Sequence, residues 1–570
     1  MRARSLSRAL IAALLLSLCV QPVVRAQRAP RKLGAAVAPI RLVPHGSEPI
    51  TVSGLHSYFG AVEVDSFSSG LVLSNRLPFE RYLLGLNEVP VEWPFEALKA
   101  QVVAARTYAL FTLGQGRTGE AGIYGYDICA TVQCQVFSGA DVISTENGER
   151  WVAAVDETRG QTILYDGAPI LARYHSTSGG RTLDNEDAFE PGEPSYPYLR
   201  SVESPWEGPS PLDRWVVRFP KDHLTRILSH AGYWPRGRIV NVVSRGPLFD
   251  APFPQLMIRG VQGRRKVRIT MDAKEFREVV RDVAPALYPG AYPSAGETST
   301  GRLPETLPSH RIEVETKGRF VVVEGRGWGH GSGMSQWGAH GLAQQGASYA
   351  DILGHYYSGV TLGTTDTDRS IEVGVATGQS TVTALGSFSI VDGRGKVLVP
   401  RALGSWTFRS AGSGAVAIDP PRGYGLPLEV GIVRAPKRVI VGEPTFLTVA
   451  LSRPAKVRTQ TDESPTGYRD PGVEIKEAGK RRVVWLAPLE EGRYRVRVRA
   501  RAGPALKLSE PVEIVVRAAA SPPSGPDPGR GDDIVDPTGF PWAWVLAGLA
   551  LLGLVLVFAL VRASKSRPTS

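Results

Sequence analysis

The sequence predicts an α+β domain, built from mixed helices and short antiparallel strands, followed by two small all-β units and a C-terminal transmembrane helix. Three observations support this prediction. Apolar residues recur at helical spacing after Pro94, apolar and polar residues alternate through most of residues 370–517, and residues 540–561 are almost entirely apolar. A chain of 570 residues is also too long for one hydrophobic core, so several domains are expected.

Residues 1–26 are predicted to be a secretory signal peptide. Basic residues precede an apolar run at 9–20 that is too short to cross a bilayer, and Ala26 marks the expected cleavage site. Residues 27–49 show no periodicity and are expected to be a linker or an early edge strand. Export of the chain would follow from the signal peptide.

The main domain is assigned to residues 50–363 and begins with short strands and two helices. A short helix should stop near Pro90 and a longer one should begin at Pro94, because proline disfavours a helical residue before it and suits a first helical position. Glu88 lies between the two helices. A carboxyl group enclosed at this break would have a raised pKa and could hold a proton near neutral pH, whereas a solvated Glu88 would merely end a helix.

The second predicted helix has polar residues beside its apolar stripe. Read on their own, these residues could form no more than a solvated helix face. They are Lys99, Gln101, Arg106 and Tyr108.

A hairpin is predicted around Asp166-Gly167, because both central residues of a tight primed turn need a positive φ. Its second strand leads into residues 175–180, which are rich in Ser and Gly. Such a loop can present hydroxyls, an imidazole and backbone N–H groups to a sugar, and it can equally be an ordinary turn. A serine hydrolase is excluded, since the loop contains no Gly-x-Ser-x-Gly elbow.

Glycine is dense at residues 325–338, where missing Cβ atoms allow close approach of the backbone, so this segment is expected to form a wall of the pocket. Its spacing fits neither a dinucleotide fingerprint nor a P-loop. His330 and His340 are expected to be hydrogen-bonded histidines rather than metal ligands, with His330 facing the cleft. Neither a Cys/His cluster nor a His-Glu-x-x-His pattern accompanies them.

Two all-β units are predicted after the main domain, at residues 370–433 and 436–517. The second has the alternation of a small sandwich of the immunoglobulin or fibronectin type. Residues 518–539 are rich in Pro, Gly, Ser and Asp and are expected to be a disordered tether.

Residues 540–561 are predicted to span a membrane, because tryptophans stand at the start of the run and basic residues follow it directly. The positive flank places residues 562–570 in the cytoplasm. The chain is therefore expected to be a single-pass protein on the extracytoplasmic face of the cell membrane.

Cys129 and Cys134 are the only cysteines left once the signal peptide is removed, and an even number in an exported chain favours a disulfide. The formal net charge of the chain is +11, and the excess is spread along the sequence without a basic run interleaved with aromatics. Nucleic acid is therefore not expected as a partner.

Five sequence segments together resemble the SpoIID/LytB family, and they follow the order of that family over residues 54–363. The segments are residues 87–90, 95–101, 104–108, 174–180 and 325–338. Proteins of this family include peptidoglycan lytic transglycosylases, which cut the bond between N-acetylmuramic acid and N-acetylglucosamine and prefer strands stripped of peptides. The resemblance implies this cell-wall activity here, with Glu88 as the single acid and base and a 1,6-anhydro product.

The resemblance also implies a set of residues that line the saccharide cleft. The set comprises Lys99, Gln101, Arg106, Tyr108, His175, Ser176, Ser178, Gly179, His330, Ser335 and Gln336. No cofactor is implied, although some members hold zinc through two cysteines and a histidine in the loop at Cys129 and Cys134. Here Gln133 precedes the second cysteine, so a disulfide is the main expectation and zinc is the alternative.

Relatives of the LytB type are also described as enhancers of an amidase. The chain could therefore be a non-catalytic, peptidoglycan-binding partner of a cell-wall amidase. Product formation by the isolated protein would separate this function from the enzymatic one.

Overall fold

The computed structural model describes residues 33–189, 192–234, 237–249, 253–294, 303–421, 424, 428–461, 473–475, 478–502 and 505–518. Strands outnumber helices in this part of the chain. The predicted signal peptide, the tether beyond Ala518, the predicted membrane span and the predicted cytoplasmic tail all lie outside the described residues.

The helices occur in the first two thirds of the chain. They are Phe79–Leu83, Phe95–Gln115, Gly119–Tyr124, Gly148–Glu157, Asn185–Ala188, Lys221–His230, Ala273–Leu287, Gln336–Gln344 and Tyr349–Tyr356, with 3-10 turns at Val142–Ser144 and Pro205–Glu207. No helix within the described ranges is long and apolar enough to cross a bilayer. The predicted single-pass membrane arrangement is therefore corrected: no described helix supplies the span, and residues 540–561 lie outside the described part.

An eleven-stranded sheet, called the large sheet below, joins the two ends of the described main domain. Its strands are Gly34–Val37, Ile40–Pro44, Ile50–Val52, Ser57–Tyr58, Ala61–Phe67, Gly70–Pro78, Ile128–Cys129, Ser370–Gln379, Thr381–Val391, Val397–Ser410 and Ala415–Asp419. Ser370–Gln379 pairs antiparallel with Gly70–Pro78, and Ile40–Pro44 pairs with Thr381–Val391.

The predicted fold class is therefore wrong in its division of the chain. Residues 370–419 are strands of the large sheet rather than of a separate small unit, and the predicted linker at 27–49 contains two strands of the same sheet. The alternation of side chains locates a strand, but it does not indicate which distant strand pairs with it. The described part of the chain has more strand than the predicted α+β arrangement, because these segments add strands to one large sheet.

The long helix Phe95–Gln115 lies between two hydrophobic cores. Leu98, Val102 and Ala105 pack into the core of the large sheet, while Val103 and Ala104 pack into a second core with the helix Tyr349–Tyr356. The helix is consequently buried almost all round, so its polar residues lie within the protein rather than on a solvated face.

Two small sheets lie near this helix. Two further small sheets belong to an inserted region that has its own core. Near the helix, Gln161–Tyr165 pairs with Ala168–Pro169 and Thr361–Thr364, and Tyr174–His175 pairs in parallel with Met334–Ser335. The inserted region contains Arg214–Pro220, Ile312–Lys317, Phe320–Arg326, Arg238–Arg245, Gln255–Gln262 and Arg265–Asp272.

The C-terminal described unit has two sheets around one core. One sheet consists of Val430–Arg434, Pro444–Leu451 and Gly479–Leu486. The other consists of Arg438–Ile440, Ala455–Thr461, Val473–Ile475, Gly492–Ala502, Ala505–Leu508 and Val512–Arg517. We call this β-sandwich the sandwich unit.

Candidate active site around Glu88

Glu88 lies in the turn between the helices Phe79–Leu83 and Phe95–Gln115, where the prolines predict a break. Pro94 precedes the first helical residue and has a φ of −50°. Val89 and Trp93 are buried in the core of the large sheet and fix the turn in place. Glu88 itself is half-buried, so its carboxyl group is held by protein but remains reachable from solvent.

Two hydrogen bonds hold the Glu88 carboxyl group, and both end on Oε1. The backbone N–H of Val136 donates at 2.7 Å and the hydroxyl of Tyr174 donates at 2.9 Å. Gln336 Nε2 donates to the backbone carbonyl of Glu88 at 3.4 Å and to Gln101 Oε1 at 3.3 Å. The first residue of the helix Gln336–Gln344 is thereby connected both to Glu88 and to the long helix.

A buried glutamine orients the tyrosine that contacts Glu88. Gln135 Nε2 donates to the Tyr174 hydroxyl at 2.8 Å, and Gln135 Oε1 accepts from the Tyr82 hydroxyl at 2.7 Å. Gln135 is completely buried, and its Nε2 also donates to the carbonyl of Ala105 at 3.2 Å. Because the Tyr174 oxygen accepts from Gln135, its own proton points at Glu88.

Burial raises the pKa of Glu88 from its ordinary 4.5 to about 7, while hydrogen bonds from Val136, Tyr174 and Gln336 act in the opposite direction. The removal of the carboxylate from water therefore outweighs the donors around it. Burial and the nearby Glu88 also raise the pKa of Tyr174 well above its usual value, so this hydroxyl stays protonated. Glu88 can thus both hold and release a proton near neutral pH.

The cysteine loop leads directly into the residues that hold Glu88. The structure joins Cys129 and Cys134 in a disulfide, and Gln135 and Val136 follow at once. Val136 also accepts a hydrogen bond at its carbonyl from the backbone N–H of Asn87 at 2.9 Å. No group of three or more His, Cys, Asp or Glu side chains suited to a metal ion occurs in the described ranges.

Aromatic side chains occur next to the residues of this site in the sequence, since Trp93 lies in the same turn as Glu88 and Trp337 follows Gln336. Trp93 and Trp337 have ring centroids 4.8 Å apart, and His340 lies 4.9 Å from Trp93. Trp337 is partly exposed, and its backbone N–H donates to the carbonyl of Ser176 at 3.0 Å. Aromatic rings together with a few polar groups and a titratable acid are the usual composition of a ligand site.

Several predicted cleft residues are close to Glu88, and others are engaged elsewhere. Gln101 and Gln336 belong to its hydrogen-bond network, and the ring of Tyr108 is 6.4 Å from that of Tyr174. Arg106 is completely buried and makes a bidentate pair with Glu80, with both distances 2.9 Å. It therefore supports the interior and does not face a ligand.

Lys99 also has partners away from Glu88. Its ammonium group pairs with Glu96 and lies 3.7 Å from Glu157, above the rings of Phe95 and Tyr349. These contacts tie the long helix to its neighbours. Its predicted contact with saccharide stays a prediction.

The Ser and Gly loop at residues 178–180 is closed around a buried carboxylate, Glu207. Glu207 accepts from the backbone N–H and hydroxyl of Ser178 at 3.0 and 2.7 Å, and from the N–H of Gly179 at 2.6 Å. The donors that the sequence offered to a sugar are thus bound to the protein itself. Ser178 and Gly179 are therefore hydrogen-bonded to Glu207 and are not part of the hydrogen-bond network around Glu88.

The two predicted histidines contact one another rather than Glu88. His175 and His330 have ring centroids 5.5 Å apart, and His175 Nδ1 lies 3.2 Å from the carbonyl of Ser332. Burial, with the positive charge of Arg173, lowers the pKa of His330 to about 3. Burial and the neighbouring His330 lower the pKa of His175 well below its usual value, so both imidazoles are neutral.

Ser335 has a structural position next to the site. It is the N-cap of the helix Gln336–Gln344, with its hydroxyl accepting from the N–H of Gly338 at 3.2 Å. This cap fixes the start of the helix and so the direction of Gln336. Sequence reasoning did not assign Tyr82 or Gln135 to the site, and the one available signal was the position of Gln135 directly after Cys134.

Comparison with known proteins identifies the family of the chain. The family model described as Stage II sporulation protein matches residues 68–165, a range that contains Glu88, both cysteines and Gln135. The chain is 30% identical over 301 residues to Stage II sporulation protein D of Bacillus amyloliquefaciens, covering 51% of this chain and 75% of that protein.

Two proteins of Bacillus subtilis strain 168 are similar as well. Stage II sporulation protein D is 28% identical over 301 residues, covering 51% of this chain and 76% of the relative. The protein named amidase enhancer is 29% identical over 306 residues, covering 48% of this chain and 39% of the relative. The chain therefore belongs to the SpoIID/LytB family.

Proposed function

We propose that this protein is a peptidoglycan lytic transglycosylase that cleaves the bond between N-acetylmuramic acid and N-acetylglucosamine in glycan strands stripped of peptides. The observation that supports this most directly is the half-buried carboxyl group of Glu88, whose pKa burial raises to about 7. Family membership supports the coarser statement that the protein has a cell-wall function.

In the first step the protonated Glu88 donates to the departing glycosidic oxygen. Val136 N–H and the Tyr174 hydroxyl both direct hydrogens at Oε1, so the transferable proton belongs on Oε2. The glycosidic bond breaks as its oxygen receives that proton and keeps the bonding electron pair. C1 of the muramic acid residue is left with oxocarbenium character, and Glu88 becomes a carboxylate.

In the second step the Glu88 carboxylate accepts the proton of the C6 hydroxyl of the muramic acid residue, and the C6 oxygen bonds to C1. This closes a 1,6-anhydro ring and restores the protonated Glu88. Hydrolysis usually needs two carboxyl groups, but a nucleophile already tethered to the sugar replaces the second one.

The neighbouring carboxyl groups are either engaged with other residues or exposed. Glu96 accepts from the N–H of Tyr349 at 2.8 Å and pairs with Lys99. Glu92 is exposed. A mechanism with Glu88 as the only acid and base is therefore favoured over one with two carboxyl groups.

Replacement of Glu88 by Gln tests the proposal, with Glu92→Gln as the matched control in the same turn. Purified glycan strands are incubated with each protein alone, and the products are analysed by mass spectrometry. Wild type and Glu92→Gln should release fragments with 1,6-anhydro ends, and Glu88→Gln should be slower by about 10²- to 10⁴-fold.

Undiminished anhydro product from Glu88→Gln would refute the assignment of Glu88. Release of ordinary reducing ends by the wild type would identify a hydrolase instead. Melting temperatures of the three proteins show whether a lost activity reflects lost structure.

A second function, enhancement of a cell-wall amidase, is favoured by the similarity to the Bacillus subtilis protein named amidase enhancer. The rate of a purified amidase on intact peptidoglycan is measured with and without this protein. If enhancement is the function, Glu88→Gln should enhance as well as wild type does, and neither protein should cleave glycan alone.

A further inference from the structure

One strand of the sandwich unit alternates between arginine and core residues. Within Gly492–Ala502, the side chains of Tyr494, Val496, Val498 and Ala500 are buried in the core. The intervening positions point to the other face of the sheet, because successive side chains of a strand alternate. They are Arg493, Arg495, Arg497, Arg499 and Arg501.

The adjacent strand places more cations on the same face. In the antiparallel register, Arg458 lies directly opposite Arg499 and Lys456 lies directly opposite Arg501. Like charges in directly opposite positions destabilise a sheet. This arrangement therefore costs stability unless anions balance it. Glu513 lies directly opposite Arg495, and Lys456 is in register with Glu474. No described carboxylate residue lies directly opposite Arg458 or Arg499.

Five cations of this face are exposed and form no ion pair with a carboxylate in the described part of the chain. We define the arginine face as Lys456, Arg458, Arg495, Arg499 and Arg501, and none of these five forms an ion pair with a described Asp or Glu. Arg493, at the end of the row, does pair with Glu513 at 2.9 Å. The charge of the arginine face is thus available to a ligand.

The cations of the arginine face are arranged in rows along two neighbouring strands. Alternate residues of a strand are about 6.7 Å apart and neighbouring strands about 4.8 Å apart, so the cations form two short parallel rows. A guanidinium group binds phosphate oxygens through two parallel hydrogen bonds, and it keeps its charge at all physiological pH values. A linear chain of separated phosphates matches such rows.

We propose that the arginine face binds a linear polymer of alcohol units joined by phosphodiester groups. Duplex nucleic acid fits less well, because its charges are spaced about 1.7 Å apart along the axis, far more densely than the rows. A glycan strand without peptides carries a lactyl carboxylate on every second sugar only, so its charges are farther apart than the cations of a row, and it has no phosphate group. The proposal does not depend on Glu88 or on the cleavage of glycan.

The inserted region offers a control surface with three exposed cations. On its outer sheet Arg259 lies directly opposite Arg268, with Lys266 two residues away, and all three are exposed. Only two of these cations share a strand, so they do not form the long row of the sandwich unit. The variant R259Q/K266Q/R268Q removes the same charge as R495Q/R499Q/R501Q.

Binding of labelled poly(glycerol phosphate) to the full chain is measured by fluorescence anisotropy at several salt concentrations. R495Q/R499Q/R501Q should bind at least about tenfold more weakly, and the slope of log K against log salt should fall in magnitude by about 2, since three phosphate contacts are lost. R259Q/K266Q/R268Q should bind within about twofold of wild type. The melting temperature of R495Q/R499Q/R501Q should change little. Two pairs of opposed like charges are removed, at Arg499 and Arg501, and this gain offsets the lost attraction between Arg495 and Glu513.

Four outcomes would overturn the proposal. These are no binding by wild type, equal weakening in both triple variants, tighter binding of duplex DNA than of the polymer, and tighter binding of anionic phospholipid vesicles than of the polymer. Glu88→Gln should bind the polymer as wild type does, so failure of the arginine face and failure of the proposed glycan cleavage remain distinguishable.

Discussion

Two enclosed glutamates of the main domain are held in contrasting ways. Glu207 is 1% exposed and accepts hydrogen bonds on both carboxylate oxygens, whereas Glu88 is half-buried and accepts its two close hydrogen bonds on Oε1. The donors to Glu207 Oε1 are Ser178 N, Ser178 Oγ and Ser204 Oγ, and the donors to Oε2 are Gly179 N and Gly180 N.

This contrast shows that enclosure alone does not identify a catalytic acid. Around Glu207 the donors occupy both oxygens, and the carboxylate serves to fold the loop that surrounds it. Around Glu88 the donors are fewer and gather on one side, so burial dominates and its pKa rises to about 7. The placement of the donors, rather than depth alone, therefore distinguishes the surroundings of Glu207 from those of Glu88.

The largest expected effect is on stability, in the variant Glu207→Gln. An amide would turn its own N–H groups toward backbone donors, and the buried Arg311 would lose its nearby negative charge. We expect the free energy of unfolding to fall by about 3–5 kcal/mol. Urea denaturation measures this change.

Glu203→Gln is the matched control for that variant, because Glu203 is exposed in the same segment. Its free energy of unfolding should change by less than about 0.5 kcal/mol. Equal stability of Glu207→Gln and wild type would show that the carboxylate is not what holds the loop.

A smaller effect of opposite sign is expected for Glu88→Gln. Native Glu88 holds its proton up to about pH 7, whereas the unfolded chain releases it near pH 4.5, so wild type loses stability as the pH rises between these values. Gln cannot ionise and avoids this loss. Above about pH 8, Glu88→Gln should be more stable than wild type by about 1–3 kcal/mol.

Thermal unfolding over a series of pH values measures this difference. The gap between Glu88→Gln and wild type should grow from about pH 4.5 to about pH 7 and then level off. Glu92→Gln, at an exposed position, should show no such growth. A gap that is constant with pH would mean that the native pKa of Glu88 is not raised.

The turn that contains Glu88 was predictable because its causes are local. Pro90 and Pro94 limit the helices on either side, and Val89 and Trp93 supply the apolar side chains that bury it. The sequence segments that resemble the family also pointed to this residue. Local rules and resemblance together therefore located the candidate acid.

The partners of the polar residues were not predictable, because they come from distant parts of the chain. Arg106 is a plausible cleft residue by sequence, but Glu80 from the preceding helix neutralises it inside the protein. Ser178 and Gly179 are likewise committed to Glu207. Only the tertiary contacts distinguish a donor offered to a ligand from one already used.

The predicted boundary between the main domain and the first all-β unit was wrong for a related reason. Residues 370–419 have the alternation of strands, which was read correctly, but their partners include Ile40–Pro44 and Gly70–Pro78 at the other end of the main domain. Register between strands far apart in sequence is set by the complementarity of whole faces. The alternation of side chains within one segment does not determine which distant strand pairs with that segment.

The smallest expected effect is that of Tyr174→Phe, which removes one of the two hydrogen bonds donated to the Glu88 carboxyl group. In wild type the rate of glycan cleavage should decline above about pH 7, because Glu88 loses the proton that it must donate. The Tyr174 hydroxyl favours the charged form of Glu88, so Tyr174→Phe should raise the pKa of Glu88 further and move this decline to higher pH. The lost hydrogen bonds should lower the free energy of unfolding by about 1 kcal/mol.

The rate of anhydro-product formation as a function of pH measures the shift. Tyr108→Phe is the control, because Tyr108 lies beside Tyr174 but the Glu88 carboxyl accepts from Tyr174 and Val136. Its profile should coincide with that of wild type. A decline in Tyr174→Phe that stays in place or moves to lower pH would mean that this hydroxyl does not stabilise the Glu88 carboxylate, and the contrast with the fully bonded Glu207 would then need another cause.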